Sequence, residues 1–340
     1  MTATQKIGYA VVGLGSIAKG SVLPAFARCR RSKLVAVVGR DENGARGIAK
    51  EFGAATAYAA KDFATCLADP RIAAVYVATP QSSHLELTSQ AARAGKHVLC
   101  EKPLAASVAE ARQMVNVCRN SGVQLMTAYR KYFEPSALSL RKLIRDGLLG
   151  RLDMIHTAFS ELHVAGTSLN WLLDARVAGG GPLMDLGVYC VNSSRWLAGE
   201  DPEKVSAYTW RNDKGRFKSV EEGISFRMRF PSGLIVNGSA GYGSAISSFI
   251  FLQGTKGWAC LTPAFPFDEE RLLTGKIAGK PFEKRFKVTD EFAPEIDAFS
   301  EAIQKRTRIE PDGVQGLRDM NIIEAIYAAA RKQKSVSVNY

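Results

Sequence analysis

The feature that most constrains this 340-residue chain is an alternation over residues 6–127, where short apolar runs are each followed by a helical pattern. Ile7 to Val12 precedes a helix through Phe26, Leu34 to Val38 a helix through Lys50, and Val75 to Ala78 a helix through Ala94. His97 to Leu99, a helix from Val108 to about Arg119, and Val123 to Met126 complete the series. Strands that are apolar along their whole length and alternate with helices predict a parallel sheet covered on both faces. Ser107-Val108-Ala109-Glu110 has the spacing of a capping box, and Gly53, Gly95 and Gly122 stand where helices commonly end.

After Gly150 the texture changes to alternating strand segments, among them Leu152 to Phe159, Val205 to Trp210, Ile224 to Phe230 and Leu234 to Ala240. Pro231-Ser232-Gly233 reads as a hairpin turn. A helical stretch from Pro182 to Leu197 interrupts them, and two amphipathic helices, about Ala293 to Lys305 and Gly313 to Arg331, close the chain. The length suits two domains, each large enough for its own core.

Ala10-Val11-Val12-Gly13-Leu14-Gly15-Ser16-Ile17-Ala18 is G-x-G-x-x-A placed between a strand and a helix. The first glycine permits a tight turn, the second lets a pyrophosphate approach the backbone, and the small third residue lets helix and strand pack closely. The chain is therefore expected to be α/β: a dinucleotide-binding Rossmann domain over 1–127, then an α+β domain over 128–340 with an open, mainly antiparallel sheet. The last helix is expected to pack back on the first domain. A ligand is expected at the carboxyl ends of the first sheet's strands. At the end of the second strand, Val37-Val38-Gly39-Arg40 puts an arginine where NAD enzymes usually carry a carboxylate. Arg40 can stack on adenine and pair with a 2′-phosphate, which favours NADP over NAD. Asp41 could instead swing in toward a ribose hydroxyl.

Composition removes several other classes. No apolar run approaches the 18 or so residues that span a bilayer, and a strand pattern begins within a few residues of Met1, so a cytoplasmic protein is expected. The six cysteines show no C-x-x-C pair and read as free thiols of a reducing compartment. The four histidines lack metal-ligand spacing, and no metal is expected. Lys+Arg 45 against Asp+Glu 33 gives a net charge of +12, which invites a polyanion. The basic groups, such as Arg28-Cys29-Arg30-Arg31, nevertheless fall at helix ends without any nucleic-acid-binding pattern, so no nucleic-acid partner is expected.

Two segments could carry acid/base chemistry. Cys100-Glu101-Lys102-Pro103 lies at the end of a strand of the first domain; Gly179-Gly180-Gly181 feeds a helix on which Asp185 and Tyr189, four apart, share a face. These segments, with the glycine fingerprint and Ala78-Thr79-Pro80 followed by His84, resemble the Gfo/Idh/MocA oxidoreductases over essentially the whole chain. Within that family, the Asp185-x-x-x-Tyr189 ending resembles the glucose–fructose and aldose–aldose oxidoreductases, where inositol dehydrogenases carry histidine in place of the tyrosine.

The resemblance implies Tyr189 as the acid/base on a substrate hydroxyl, Lys102 as the group that holds substrate and lowers the tyrosine's pKa, and Asp185 as an orienting carboxylate. It implies a cofactor site of Gly13, Gly15, Ser16, Ile17, Arg40, Thr79, Pro80, His84, Glu101, Lys102 and Arg130, with Tyr129, Trp171 and Arg176 bordering the substrate. It departs from the family pattern at Gln81, where an asparagine is usual, and at Leu172, where the glucose–fructose enzyme has an arginine. The activity implied is NADP(H)-dependent oxidation of C1 of an aldopyranose to the aldonolactone, with coupled reduction of a second sugar by a retained cofactor. An ordinary sugar, polyol or dihydrodiol dehydrogenase with exchangeable cofactor, and a non-catalytic dinucleotide sensor, stand as alternatives. A homodimer or homotetramer is implied by the same resemblance.

Overall fold

The computed structural model describes residues 5–163 and 170–340. It divides into two compact units, Met1–Arg130 with Asp290–Leu317, and Lys131–Thr289 with Arg318–Tyr340. The first unit holds β1 (Ile7–Val12), β2 (Ser32–Gly39), β3 (Thr56–Ala59), β4 (Ala74–Val77), β5 (His97–Glu101) and β6 (Leu125–Ala128). They form a parallel sheet in the order β3-β2-β1-β4-β5-β6, the doubly wound arrangement whose strand order reverses beside β1. All four residues of β4 are buried, as are five of the six in β1, which is why these strands read as unbroken apolar runs. The short edge strand β3 escaped the reading of the sequence because Thr-Ala-Tyr-Ala is neither a long apolar run nor a clear alternation.

The first unit is discontinuous, whereas the sequence suggested a single boundary at 127/128. The helix Phe292–Lys305 returns to it because Phe292, Ile296 and Phe299 form an apolar stripe, buried as the helix packs against β2 and β5. Polar contacts fix its register. Ser300 Oγ lies 2.9 Å from the Tyr9 hydroxyl and 2.7 Å from Ser32 Oγ, while Asp297 accepts from the amides of Arg30 and Arg31 at 2.6 and 2.9 Å. Of the last helix, Gly313–Lys332, only the residues up to Leu317 belong to the first unit.

The second unit contains, among the described residues, a sheet of nine strands: β7 (Leu152–Ser160), β8 (Lys204–Trp210), β9 (Gly223–Arg229), β10 (Ile235–Gly241), β11 (Ser247–Gly254), β12 (Gly257–Thr262), β13 (Arg271–Ile277), β14 (Lys280–Phe286) and β15 (Val336–Ser337). Their order is β14-β13-β12-β11-β7-β10-β9-β8-β15, antiparallel except between β7 and β10. One face is covered by the helix Val188–Ala198, whose every residue but Ala198 is buried. The other carries Tyr208, Trp210 and Trp258, 72%, 41% and 37% exposed. Among the described residues, no helix is long and apolar enough to cross a membrane.

Candidate active site

Because the strands of the first sheet are parallel, β1, β2, β4, β5 and β6 deliver their carboxyl ends to one edge. β1 runs into Gly13, where φ is +93° and a Cβ would stand 2.5 Å from the carbonyl oxygen of Ala78, so only glycine is accommodated. Gly15 is exposed, and a Cβ there would meet nothing within 4 Å. An uncrowded backbone at a helix start suits a dinucleotide pyrophosphate, and Ser16 and Ile17 supply amides of that first turn.

Arg40 follows β2 and is exposed. Its rival is already engaged: Asp41 caps the helix Glu42–Phe52, with Oδ1 accepting from the Gly44 amide at 2.8 Å. A carboxylate committed to a helix cap leaves the arginine as the charged group at the strand end, and this donor set fits a 2′-phosphate.

Thr79 and Pro80, after β4, are half-buried, with the Ser83 hydroxyl donating to Thr79 Oγ1 at 2.7 Å. His84 does not line this edge as expected. It is buried, with Nε2 2.8 Å from the Thr79 carbonyl and Nδ1 3.1 Å from the Leu104 carbonyl, and burial holds its pKa below the ordinary value. It braces the loop after β4 against the segment after β5.

β5 presents Glu101 and the half-buried Lys102. Glu101 Oε1 accepts from the Tyr76 hydroxyl at 2.8 Å and Oε2 from the Lys102 amide at 3.2 Å. Burial raises the pKa of Glu101, and Lys102, next in importance, pulls it down. Tyr129 and Arg130 follow β6, both buried; the Arg130 guanidinium pairs with Glu291 and lies 5.8 Å from the centre of the Phe292 ring.

In the second unit the triple glycine leads into one π-helical turn, Leu183–Gly187, and then the helix Val188–Ala198. Such a turn is a frequent mark of functional positions. A Cβ at Gly180 would stand 2.3 Å from the Tyr327 hydroxyl, and one at Gly181 2.7 Å from the Glu221 carbonyl, so the glycines allow close approach. Glu221 holds the turn in place, accepting from the amides of Gly181 and Leu183, each at 3.1 Å, and from the Tyr327 hydroxyl at 2.7 Å.

Asp185 is half-buried and accepts from the hydroxyl of Tyr242 at 3.0 Å. Burial, reinforced by the negative charge of Asp185, pushes the Tyr242 pKa well up, so it stays a donor. Tyr189 is 7% exposed, its ring edge-on to Phe159 at 5.8 Å and tilted against Phe265 at 5.7 Å. His163, also buried, lies with its ring 5.4 Å from that of Tyr242. Sequence reasoning missed Tyr242, His163, Glu221 and Tyr327, since none carries a local motif. Trp171 is half-buried, whereas Arg176 turns outward, 89% exposed and held by Asp174 at 2.7 Å.

Residues 7–129 match the model of an oxidoreductase family with an NAD-binding Rossmann fold, and residues 137–260 that of the GFO/IDH/MocA C-terminal domain. The crystal structure of an aldose-aldose oxidoreductase from Caulobacter crescentus aligns with a TM-score of 0.93 at 35% identity, covering 98% of this chain and 100% of the other. A D-xylose 1-dehydrogenase (NADP(+)) of Haloarcula marismortui is 29% identical over 99% of this chain and 95% of its own. A trans-1,2-dihydrobenzene-1,2-diol dehydrogenase of Oryctolagus cuniculus is 33% identical over 74% of each.

Proposed function

The chain belongs to the Gfo/Idh/MocA oxidoreductase family, and from that membership we propose an NADP(H)-dependent sugar oxidoreductase that oxidises C1 of an aldopyranose to the aldonolactone. The observation that carries this reading is the placement of Asp185 in the π-helical turn and of Tyr189, four positions on, at the start of the helix that follows it, with Tyr242 donating to the carboxylate. NADP, when bound, supplies the hydride acceptor. Tyr189 takes the C1 hydroxyl proton as the C1–H bond breaks and the C1=O bond forms. Lys102 holds the substrate hydroxyl and favours the deprotonated form of the tyrosine. Asp185 orients the substrate. Gly13, Gly15, Ser16 and Ile17 seat the pyrophosphate, Arg40 the 2′-phosphate, and Thr79, Pro80, Glu101 and Arg130 the nicotinamide half. Tyr129 and Trp171 border the sugar.

The 35% identity to the aldose-aldose oxidoreductase supports coupling to reduction of a second sugar by a retained cofactor. The xylose and dihydrodiol dehydrogenase relatives favour a second reading, a dehydrogenase whose cofactor exchanges at each turnover. A sugar panel run on the protein as isolated, without added nicotinamide, distinguishes them. Lactone and alditol formed together support coupling; turnover only on addition of NADP supports exchange; no sugar oxidised under either condition refutes the proposed substrate class. A cytoplasmic location fits the six free thiols, five of them buried.

A further inference from the structure

The triple-glycine segment is anchored by two residues distant from it in sequence. Glu221 stands just before β9 and is 8% exposed, and Tyr327 reaches it from the last helix, Gly313–Lys332. The Glu221 carboxylate accepts from the Gly181 amide through Oε2 and from the Leu183 amide through Oε1, each at 3.1 Å, and Oε1 also accepts from the Tyr327 hydroxyl at 2.7 Å. The Gly181 amide is shared with the Tyr327 oxygen, 3.2 Å away. Pro182, between the two anchored residues, has no amide proton. The backbone donors that open the turn Leu183–Gly187 therefore converge on one carboxylate. The Gly181 carbonyl in its turn accepts from the amides of Met184 and Asp185, at 3.0 and 3.4 Å, which links the anchored residue to Asp185 itself. Tyr189 follows in the first turn of the helix Val188–Ala198.

All three of these partners donate, which suits an ionised carboxylate, and a carboxylate at the start of a helix also meets the positive end of its dipole. A proton on Glu221 would oppose one of the donors or force the phenol to reverse. Either way, charge-assisted bonds become neutral ones of roughly half the strength. The glycines let the parts close up: a Cβ at Gly180 would stand 2.3 Å from the Tyr327 hydroxyl, and one at Gly181 2.8 Å from Glu221 Oε2. The titratable and charged groups around Glu221 are Tyr327 and, beyond it, the exposed Arg331 on the last helix, Tyr242 after β10, and Asp185 in the turn. Its neighbour Glu222 is engaged elsewhere, with the amides of Asn212 and Asp213.

We propose that Glu221 is a positioning residue for the reaction: ionised, it latches with Tyr327 the turn that carries Asp185 and leads to Tyr189, and its protonation in mildly acid solution releases that turn. The proposal rests on the proposed function only in taking Asp185 and Tyr189 as groups of the reacting site. Burial raises the pKa of Glu221 above its ordinary value, and the bond from Tyr327 pulls it back down, so the release falls at a pH above 4.5 and Tyr327 sets how far above.

Hydrogen exchange read by mass spectrometry tests the latch without reference to turnover. In the wild type, the protection of residues 181–187, corrected for the intrinsic pH dependence of exchange, is expected to fall as pH is lowered from about 7 toward 4.5. In Glu221→Gln it is expected to be low and indifferent to pH. Wild-type protection that ignores pH, or a variant as protected as the wild type, overturns the proposal whether or not any sugar is oxidised. In steady-state kinetics, Glu221→Gln is expected to lower kcat about tenfold or more with an unchanged dissociation constant for NADP. Tyr327→Phe removes one donor from the carboxylate and is expected to move the acid limb of the kcat profile up by about one unit or more; an acid limb that stays in place overturns the proposal. Should Glu221→Gln fail to fold, the wild-type exchange profile and Tyr327→Phe decide it. A wild-type protein that turns over no sugar refutes the functional reading alone, because the exchange result still stands.

Discussion

Tyr242 and Asp185, 57 positions apart in sequence, meet through a 3.0 Å hydrogen bond in which the phenol donates to the carboxylate. The bond ties Asp185 to a residue just beyond the end of β10. Tyr242→Phe removes the donor and keeps the ring. A hydrogen bond to a charged group contributes about 1.5–3 kcal/mol, so kcat is expected to fall by about tenfold or more with the cofactor dissociation constant unchanged. Steady-state kinetics beside a fluorescence titration with NADPH checks this; an unaltered kcat would detach Asp185 from the reaction.

Tyr189 sits against Phe159 and Phe265 with little exposure. Replacing it by phenylalanine preserves those ring contacts and removes the hydroxyl proposed to accept the substrate's proton. Turnover is expected to drop about 10²–10⁴-fold, while NADPH binding stays within twofold. Full turnover in the variant would exclude Tyr189 as the base.

Arg40 and Asp41 divide their tasks, since the carboxylate caps a helix and the guanidinium is exposed. Arg40→Ala is expected to raise the NADP dissociation constant about tenfold or more and to leave that of NAD nearly unchanged, by loss of a charge-assisted contact to the 2′-phosphate. Calorimetry with both cofactors gives the ratio. Equal losses for the two would place Arg40 outside phosphate recognition.

Burial on the helix Phe292–Lys305 raises the pKa of Glu295, which has a consequence for stability whose sign is fixed by linkage. A carboxyl whose folded pKa lies above its unfolded value of 4.5 contributes stability that is complete below about that pH and is lost as pH rises through the folded value. Thermal melts at successive pH values are therefore expected to show the Glu295→Gln variant gaining on the wild type as pH rises from about 4.5. A wild type that instead gains on the variant with rising pH would show that Glu295 is ionised in the fold.

The open face of the nine-stranded sheet carries a row of rings, His156 with Phe251 at 6.2 Å and Phe251 with Trp258 at 5.6 Å, and Tyr208 and Trp210 toward the other edge. An exposed apolar face of this kind suits self-association. Sedimentation is expected to show a dimer or tetramer that Trp258→Glu dissociates or weakens. A monomeric wild type would leave that face without a partner copy.

The sequence carried the parts of the molecule that obey a local rule. Gly13 and Gly15 announced themselves by spacing, and β1, β2, β4 and β5 by being buried on both faces. The helix Phe292–Lys305 was legible as an amphipathic segment, yet nothing in its periodicity says which apolar surface receives Phe299. The same limit hid the support of the site. Tyr242 and Glu221 act through partners 57 and 40 residues away, and such pairings arise only once distant strands and helices are assembled. His84 was legible as part of a motif but not as a brace, because its partners are main-chain carbonyls that any sequence provides.

The return of residues 290–317 to the first unit sets an order on how the molecule can be made. A nascent chain that has exposed only β1 through β6 lacks the helix that buries Tyr9 and contacts β2 and β5, so the dinucleotide domain stays unfinished until nearly the whole polypeptide has left the ribosome. The sheet domain, by contrast, has its strands β7 to β14 in one uninterrupted stretch and can assemble first. Cutting the gene at the apparent boundary would not yield an autonomous cofactor-binding fragment. A chimera with a relative must exchange two separate segments, 1–130 and 290–317, to transplant one domain intact.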